Sequence, residues 1–323
     1  ATDTVLTGVG APFSIAQNYT IDVPAPVIVV DPATLPNTTA GLPYSQTITA
    51  NGGAAPYSFA VTAGSLPNGL SLTSGGALSG TTTTSGTFNF TVTATDNFGQ
   101  TGARAYTVVV AVPTITLTPA TLPAGNAGTA YSQVLTIAGG IAPYTVTQTG
   151  ALPTGITFNA GTRTFSGTPT QSGTFNISVT VTDSTGGTAA TVTNNYTLTI
   201  TVPTLSLTPA AGALPAGTGG TPYSQTFTAS NGVAPYTYAL TAGALPAGLT
   251  LNATTGALSG TPTVAGSFSF SIRATDSTTG TAATVTNAYT LAISTPTITV
   301  NPPVLPNGIF SVPYNHVFNA VGG

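Results

Sequence analysis

The 323-residue sequence contains no lysine, glutamate, cysteine, methionine or tryptophan. Its ionisable side chains are six aspartates, three arginines and one histidine, with a formal net charge of −3. Without cysteine, disulfide bonds cannot stabilise the fold. Without lysine, Lys–Asn cross-links and the lysine of a phosphate-binding loop are both excluded. Each folded unit must therefore be held together by apolar packing and main-chain hydrogen bonds.

The scarcity of charge also argues against several function classes. The arginines Arg104, Arg163 and Arg273 are scattered, whereas a nucleic-acid surface needs clustered basic charge. No thiol nucleophile exists, and the spacing of the aspartates suggests no catalytic carboxylate pair. His316 stands where the equivalent position of an earlier repeat has Gln46, which indicates a polar strand residue. We predict a non-enzymatic chain with no catalytic residues and no nucleic-acid partner.

No apolar run approaches the roughly 18 residues that a membrane-spanning helix requires. The first residues also lack the basic and apolar regions of a signal peptide, which fits a mature or internal segment as well as a cytosolic protein. We expect no membrane insertion within this segment.

The residues that are plentiful indicate an all-β chain. Apolar residues make up 41% and charged residues 3%, unlike the composition of a disordered chain. With 38 glycines and 26 prolines, turn-forming residues are frequent but remain below the low-complexity range.

A pattern recurs three times along the chain. Each copy has Ala-Pro-Tyr, then Leu-Pro-x-Gly, then Ser-Gly-Thr, and ends on an aromatic strand closed by Thr-Asp. A Tyr-Ser-Gln marker begins each copy, and the four related tyrosines are about ninety residues apart, the length of one sandwich domain. These tyrosines are Tyr44, Tyr131, Tyr223 and Tyr314.

Within each copy, apolar residues alternate with polar ones. Phe268, Phe270 and Ile272 alternate with serines, which places one face of a strand inward. Short proline-containing joints separate the copies. We predict all-β tandem immunoglobulin-like sandwiches arranged as an extended rod. The predicted boundaries are residues 1–24 (last strand of a preceding repeat), 25–112 (repeat 1), 113–202 (repeat 2), 203–295 (repeat 3) and 296–323 (first strands of an incomplete repeat).

Residues 245–280 read LPAGLTLNATTGALSGTPTVAGSFSFSIRATDSTTG. This segment resembles the putative Ig domain family of bacterial surface and secreted proteins, which is related to cadherin and dystroglycan modules. Residues 66–99 and 152–186 carry the same pattern, although the first copy has Gly-Thr-Thr at residues 80–82 where the others have Gly-Thr-Pro. The resemblance implies an extracellular or cell-surface location and a stalk, spacer or adhesive role.

The recurring Thr-Asp suggests two roles for the aspartate. The resemblance to cadherins implies calcium binding between domains, but calcium needs six to eight oxygen ligands and these joints offer few carboxylates. The alternative, which we favour, is a turn cap in which the carboxylate accepts main-chain N–H groups. We therefore expect no cofactor, with calcium kept as a weak alternative. The calcium candidates are Asp3, Asp22, Asp31, Asp96, Asp183 and Asp276.

Six Asn-x-Ser/Thr sequons are candidate glycosylation sites, although many such triplets arise by chance in a threonine-rich chain. Two of them are predicted to lie on the outward face of a strand, Asn89 and Asn176. The six asparagines are Asn18, Asn37, Asn89, Asn176, Asn195 and Asn252.

The sequence favours a structural array that forms or decorates a cell-surface filament or fibrous adhesin. Natural sheets guard their edges with charge, which is nearly absent here, so self-association is expected. The expected partners are copies of the chain, another surface protein or a polysaccharide. The alternative is a passive stalk or spacer that presents an adhesive or catalytic domain outside this segment.

The proline-containing joints predict an extended chain in solution. With strands that rise about 3.3 Å per residue, each repeat should add roughly 35–40 Å to the length. Small-angle X-ray scattering should therefore give a maximum dimension well above that of a compact globule. A maximum dimension close to that of a globule would contradict the prediction.

Overall fold

A computed structural model of the chain describes residues 16–322. These residues form thirty β-strands and no helix, as the alternating apolar pattern predicts. None of the described segments is a helix that could cross a membrane. The strands group into three successive sandwiches, which coincide with the three copies of the sequence pattern.

Repeat 1 contains nine strands. One sheet has the order β2-β9-β8-β5 and the other has the order β3-β7-β6, while β1 pairs with β4. The strand β2 runs parallel to β9, and the remaining pairs are antiparallel. The bounds are β1 Val29–Asp31, β2 Thr38–Thr39, β3 Pro43–Thr47, β4 Thr49–Asn51, β5 Ser58–Gly64, β6 Leu70–Leu72, β7 Ala77–Thr81, β8 Gly86–Thr95 and β9 Thr101–Ala111.

Repeat 2 has the same architecture. Its sheets have the orders β11-β18-β17-β14 and β12-β16-β15, and β10 pairs with β13. The bounds are β10 Ile115–Thr118, β11 Gly125–Asn126, β12 Tyr131–Val134, β13 Thr136–Gly139, β14 Thr145–Thr149, β15 Ile156–Asn159, β16 Thr164–Gly167, β17 Gly173–Thr182 and β18 Thr191–Thr201.

Repeat 3 differs by one additional short strand on its larger sheet. That sheet has the order β20-β28-β27-β24 with β21 also paired to β28, and the other sheets are β22-β26-β25 and β19-β23. The bounds are β19 Ser206–Thr208, β20 Gly212–Ala213, β21 Gly217–Thr218, β22 Tyr223–Thr226, β23 Thr228–Ser230, β24 Thr237–Gly243, β25 Leu249–Leu251, β26 Ala257–Gly260, β27 Gly266–Thr275 and β28 Thr284–Ser294.

The core of each repeat is built by the residues that alternate inward on its two longest strands. In repeat 1, Phe90 lies opposite Tyr106 in the ladder between β8 and β9, and both side chains are buried. Leu78 on the opposite sheet is completely buried in the same cluster. Burial of a side chain of this size contributes about 1.5–3 kcal/mol relative to its exposure. The two-residue period of the sequence thus produces the two-sheet core.

Tyrosine hydroxyl groups connect their strands to main-chain carbonyl groups, and all of these tyrosines except Tyr223 and Tyr314 are buried. The hydroxyl group of Tyr44 donates to the carbonyl oxygen of Pro36 at 3.1 Å, and Tyr106 donates to Pro32 at 2.8 Å. Burial raises the pKa of both hydroxyl groups above the ordinary value, so they remain donors. The equivalent pairs are Tyr131–Pro123, Tyr196–Pro119, Tyr223–Pro215, Tyr289–Pro209 and Tyr314–Pro306.

Two strands follow repeat 3. They are β29 Thr299–Asn301 and β30 Asn319–Val321, an antiparallel pair like β1 and β4. Their apolar side chains lack the burial of the equivalent residues in repeat 1. Val300 is 52% exposed, whereas its counterpart Val30 is 2% exposed. These two strands alone do not build a core.

Clusters of contacts divide the chain into two compact units. The first contains the described residues up to Thr114 together with Gly139–Pro143 and Asp183–Ala190, two loops from repeat 2. The second contains the remainder of repeat 2, repeat 3 and the residues that follow. Two loops of repeat 2 therefore contact repeat 1 extensively.

Candidate functional site

The Thr-Asp position begins the loop between the two longest strands of each repeat. We call these segments the closing loops; they are Asp96–Gln100, Asp183–Ala190 and Asp276–Ala283. Each aspartate directly follows a long strand, and each is only 6% exposed. Because a buried carboxylate needs hydrogen-bond donors, its partners determine the conformation of the loop.

Both carboxylate oxygens of Asp183 accept hydrogen bonds. One oxygen accepts from the main-chain N–H groups of Thr185 and Ala190, at 3.1 and 2.7 Å. The other accepts from the N–H group of Ile141 at 2.9 Å and from the Thr185 hydroxyl group at 2.5 Å. The carboxylate therefore closes its own loop and connects it to the neighbouring loop that contains Ile141.

Asp276 repeats this arrangement in the third sandwich. Its oxygens accept from the N–H groups of Val233, Thr278 and Ala283, at 3.0, 3.2 and 2.7 Å. The Thr278 hydroxyl group also donates to the carboxylate at 2.5 Å. The agreement between the two loops follows from their sequences, Asp-Ser-Thr-Gly-Gly-Thr-Ala-Ala and Asp-Ser-Thr-Thr-Gly-Thr-Ala-Ala.

The first closing loop is shorter and has no threonine cap. Asp96 accepts from the N–H groups of Ala54, Phe98 and Gln100, at 3.0, 2.9 and 2.8 Å. Phe98 takes the place of Thr185 in the second loop, and its side chain is 78% exposed. The carboxylate cap is therefore common to the three loops, while their tips differ.

These hydrogen bonds lower the pKa of all three carboxyl groups. The N–H group of Ala54 is the largest cause of the lowered pKa of Asp96. For Asp183 and Asp276, burial acts most strongly and raises the pKa, but the hydrogen bonds from Thr185 or Thr278 and from the main chain together outweigh it. The three carboxylates are therefore ionised acceptors at neutral pH.

Of the other three calcium candidates, the structure describes Asp22 and Asp31. Asp31 accepts a hydrogen bond from the Asn51 amide at 2.8 Å, Asp22 is exposed, and Asp3 lies outside the described residues. Residues 16–322 contain no group of three or more His, Cys, Asp or Glu side chains that could bind a metal ion. The structure thus surrounds the three buried carboxylates with hydrogen-bond donors, and it gathers no three of the five described aspartates into a metal-binding group.

The six sequon asparagines are all exposed. Asn89 accepts a hydrogen bond from Thr107 at 2.7 Å, and Asn176 accepts one from Thr197 at 3.3 Å. Both lie on the outward face of a long strand, as the alternation predicts. Glycosylation at these sites stays a prediction.

The three arginines, Arg104, Arg163 and Arg273, lie one in each repeat, and His316 follows repeat 3. Arg104 donates to the carbonyl oxygens of Val30 and Ala33 within repeat 1. Arg273 is exposed on β27. The ring of His316 packs beside those of Tyr314 and Phe318, 6.5 and 5.9 Å away between centroids.

Sequence reasoning missed the residues that contact the tips of the closing loops. Ser85 and Ser172 are buried polar residues, and both bond to the closing loop of the next repeat. A signal was present, because both serines precede a glycine at equivalent positions. Serine is common throughout this chain, so the pattern did not distinguish them.

The family model described as "Putative Ig domain" matches residues 25–111, 113–202 and 203–294. The chain belongs to this family. Both the predicted resemblance and the predicted all-β tandem sandwich fold are confirmed. No curated protein matches the chain.

Several solved structures are similar to the chain at low identity. An endo-fucoidan hydrolase of glycoside hydrolase family 107 is 21% identical over 84% of this chain and 45% of its own, with a TM-score of 0.32. The protocadherin GammaB4 extracellular domain is 15% identical over 88% and 53%, with a TM-score of 0.31. A variant of titin domains I67–I69 is 11% identical over 84% and 100%, with a TM-score of 0.36. This chain spans about half the length of the first two, and likenesses this distant carry no argument about function.

Replacing the caps of the second and third closing loops should destabilise the protein. In the double variant D183N/D276N each amide presents one acceptor and one donor, so buried N–H groups lose partners at a cost of about 1–3 kcal/mol each. We expect a lower melting temperature at neutral pH by calorimetry. The matched control is D22N, at an exposed aspartate, which should melt like the parent chain.

The same variant should change the dependence of stability on pH. Because the folded-state pKa lies below the ordinary value of 3.8, each carboxylate stabilises the fold above that value. The contribution is lost as the pH falls through the lowered pKa. The parent chain should lose more stability than D183N/D276N between about pH 6 and pH 2. Equal losses would contradict the assigned role of the caps.

Proposed function

We propose that the chain is a non-enzymatic, extracellular structural array of Ig-like repeats. Its repeats form or decorate a cell-surface filament or fibrous adhesin and associate with copies of the same chain. Membership of the Ig-like repeat family supports a structural or adhesive role. Each of the three sandwiches has its own buried core, and the caps in their closing loops are parts of the fold.

The observation that carries the proposal is a set of uncharged edge strands. The strands β5, β14 and β24 each end the order of their sheet and pair on one side only. None of the three contains a charged residue. Natural sheets usually guard such edges with lysine or another charge, because an open edge offers main-chain groups to a second chain.

The three edges differ in regularity. In β5 the register shifts between Val61 and Ala63, and in β24 it shifts between Leu240 and Ala242. A bulge of this kind twists an edge away from a flat pairing geometry. The strand β14 pairs with β17 without a shift over Thr145–Thr149. We infer that β14 is the edge best suited to accept a strand from another copy.

The side chains around β14 favour a neutral contact. Gln148 donates to the carbonyl oxygens of Thr149 and Gly150, both at 2.8 Å, so it occupies acceptors only at the end of the strand. On the outer face of the same sheet, the hydroxyl groups of Thr180 and Thr193 lie 2.9 Å apart. A contact here combines main-chain and hydroxyl hydrogen bonds, which suits a copy of this chain, another surface protein or a polysaccharide.

A contact of this type should barely respond to ionic strength. The Debye screening length shortens from about 30 Å at 10 mM salt to about 3 Å at 1 M. The proposed contact contains no ion pair that this change could weaken. Electron microscopy and turbidity should show assemblies of similar size across this range. Dissolution by moderate salt, or separate rods under all conditions, would contradict self-association; separate rods would favour the passive spacer.

The edge assignment can be tested within the same experiment. The variant T147K places a charge in the middle of β14 and should reduce assembly. The matched control is T241K, because Thr241 is also exposed but lies at the bulge of β24. Equal assembly by the two variants would show that β14 is not the contact.

A further inference from the structure

Two serines close the joints between successive repeats in the same way. Ser85 lies just before β8 of repeat 1 and contacts the closing loop of repeat 2. Ser172 lies just before β17 of repeat 2 and contacts the closing loop of repeat 3. Both serines are only 7% exposed. We call residues 83–85 and 170–172 the tips of repeats 1 and 2.

At the first joint, Ser85 makes hydrogen bonds through its side chain and its main chain. The Ser85 hydroxyl group accepts from the N–H group of Thr188 at 3.0 Å and lies 2.9 Å from the carbonyl oxygen of that residue. The Ser85 N–H group donates to the carbonyl oxygen of Gly186 at 3.0 Å, and the Gly186 N–H group donates to Thr83 at 2.9 Å. The tip and the loop therefore form a short parallel β-bridge.

The second joint repeats this geometry. The Ser172 hydroxyl group accepts from the N–H group of Thr281 at 2.9 Å and lies 3.1 Å from the carbonyl oxygen of Thr281. The N–H group of Ser172 donates to the carbonyl oxygen of Thr279, and the N–H group of Thr279 donates to the carbonyl oxygen of Thr170, both at 3.0 Å. A second bridge joins Gln171 and Thr279. Because two separate joints share these contacts, the arrangement is a property of the repeat.

Glycine is required where the loop passes closest to the serine. Gly187 and Gly280 have φ angles of +74° and +83°. A Cβ atom on either glycine would lie 2.5 Å from the carbonyl oxygen of Ser85 or Ser172, respectively. This explains why both longer loops have glycine at this position.

The contact needs a serine in the tip of one repeat and a long closing loop in the next repeat, and the repeats differ in which of the two they have. The closing loop of repeat 1 is short and has Phe98 at its tip, so it lacks the residues that bind the serine. Repeat 3 has the exposed Ala265 where the earlier repeats have Ser85 and Ser172. At both joints, from repeat 1 to repeat 2 and from repeat 2 to repeat 3, a serine tip is thus followed by a long closing loop.

We propose that Ser85 and Ser172 are positioning residues of a serine clamp, which docks the closing loop of the next repeat onto the tip of the preceding one. The partner that fits a serine tip is an Ig-like repeat whose loop reads Asp-Ser-Thr-x-Gly-Thr-Ala-Ala. The capping aspartate of that loop holds its tip in the conformation that the serine binds. The clamp specifies which repeats can be neighbours, and it operates independently of whether chains self-associate.

Hydrogen exchange of the full chain, followed residue by residue by NMR, tests the clamp. In S85A the amides of Gly186 and Thr188 should exchange at least about tenfold faster, while those of Thr279 and Thr281 stay unchanged. In S172A the effect should be reversed. The variant S85T, which retains a hydroxyl group, should restore most of the protection.

The matched control is S178A, since the Ser178 hydroxyl group bonds to Asn195 within one repeat. It should leave the amides of both loops unchanged. Unchanged exchange at Gly186 and Thr188 in S85A would overturn the proposal. Equal acceleration of these amides and of core amides such as that of Val92 would also overturn it, because that result indicates general destabilisation.

Discussion

The loops and joints that the structure describes depend on hydrogen bonds that end on the main chain. With nine charged side chains among 323 residues, ion pairs cannot organise the loops. Asp183 instead accepts main-chain N–H groups, Tyr106 donates to a main-chain carbonyl group, and Ser85 does both. Such bonds are individually worth about 1 kcal/mol, but leaving a buried partner unsatisfied costs more. The stability of the repeats therefore depends on every buried donor and acceptor having a hydrogen-bond partner.

This dependence links the interior of a repeat to its neighbours. The carboxylate of Asp183 fixes a loop whose tip presents Gly186 and Thr188 to the preceding repeat. The same closing loop thus connects the two longest strands of its own sandwich and contacts the preceding repeat. The three edge strands differ in their backbone geometry: the register of β5 and of β24 shifts at a bulge, whereas β14 pairs without a shift. A chain with so few charges can fold into an array because hydrogen bonds to the main chain supply the polar contacts within and between its repeats.

Much of the fold could be predicted from the sequence, because two-residue alternation and a ninety-residue period are local signals. The spacing of Phe268, Phe270 and Ile272 alone predicts that they share one face of a strand. The sequence indicates capping as one of two roles for Asp96, Asp183 and Asp276, but it does not identify the groups that donate to them. Ile141 and Asp183 are distant in sequence, and only the folded sandwich brings them together. The role of Ser85 was hidden for the same reason, since its partners lie in another repeat.

Calorimetry in calcium and in chelator tests most directly the claim that main-chain and hydroxyl donors satisfy the buried carboxylates. Calcium binding would require six to eight oxygen ligands at a site where the carboxylate oxygens already accept hydrogen bonds. The account predicts the same melting temperature in millimolar calcium and in excess chelator. A melting temperature that falls in chelator and recovers with added calcium would contradict it, and would identify the aspartates as metal ligands.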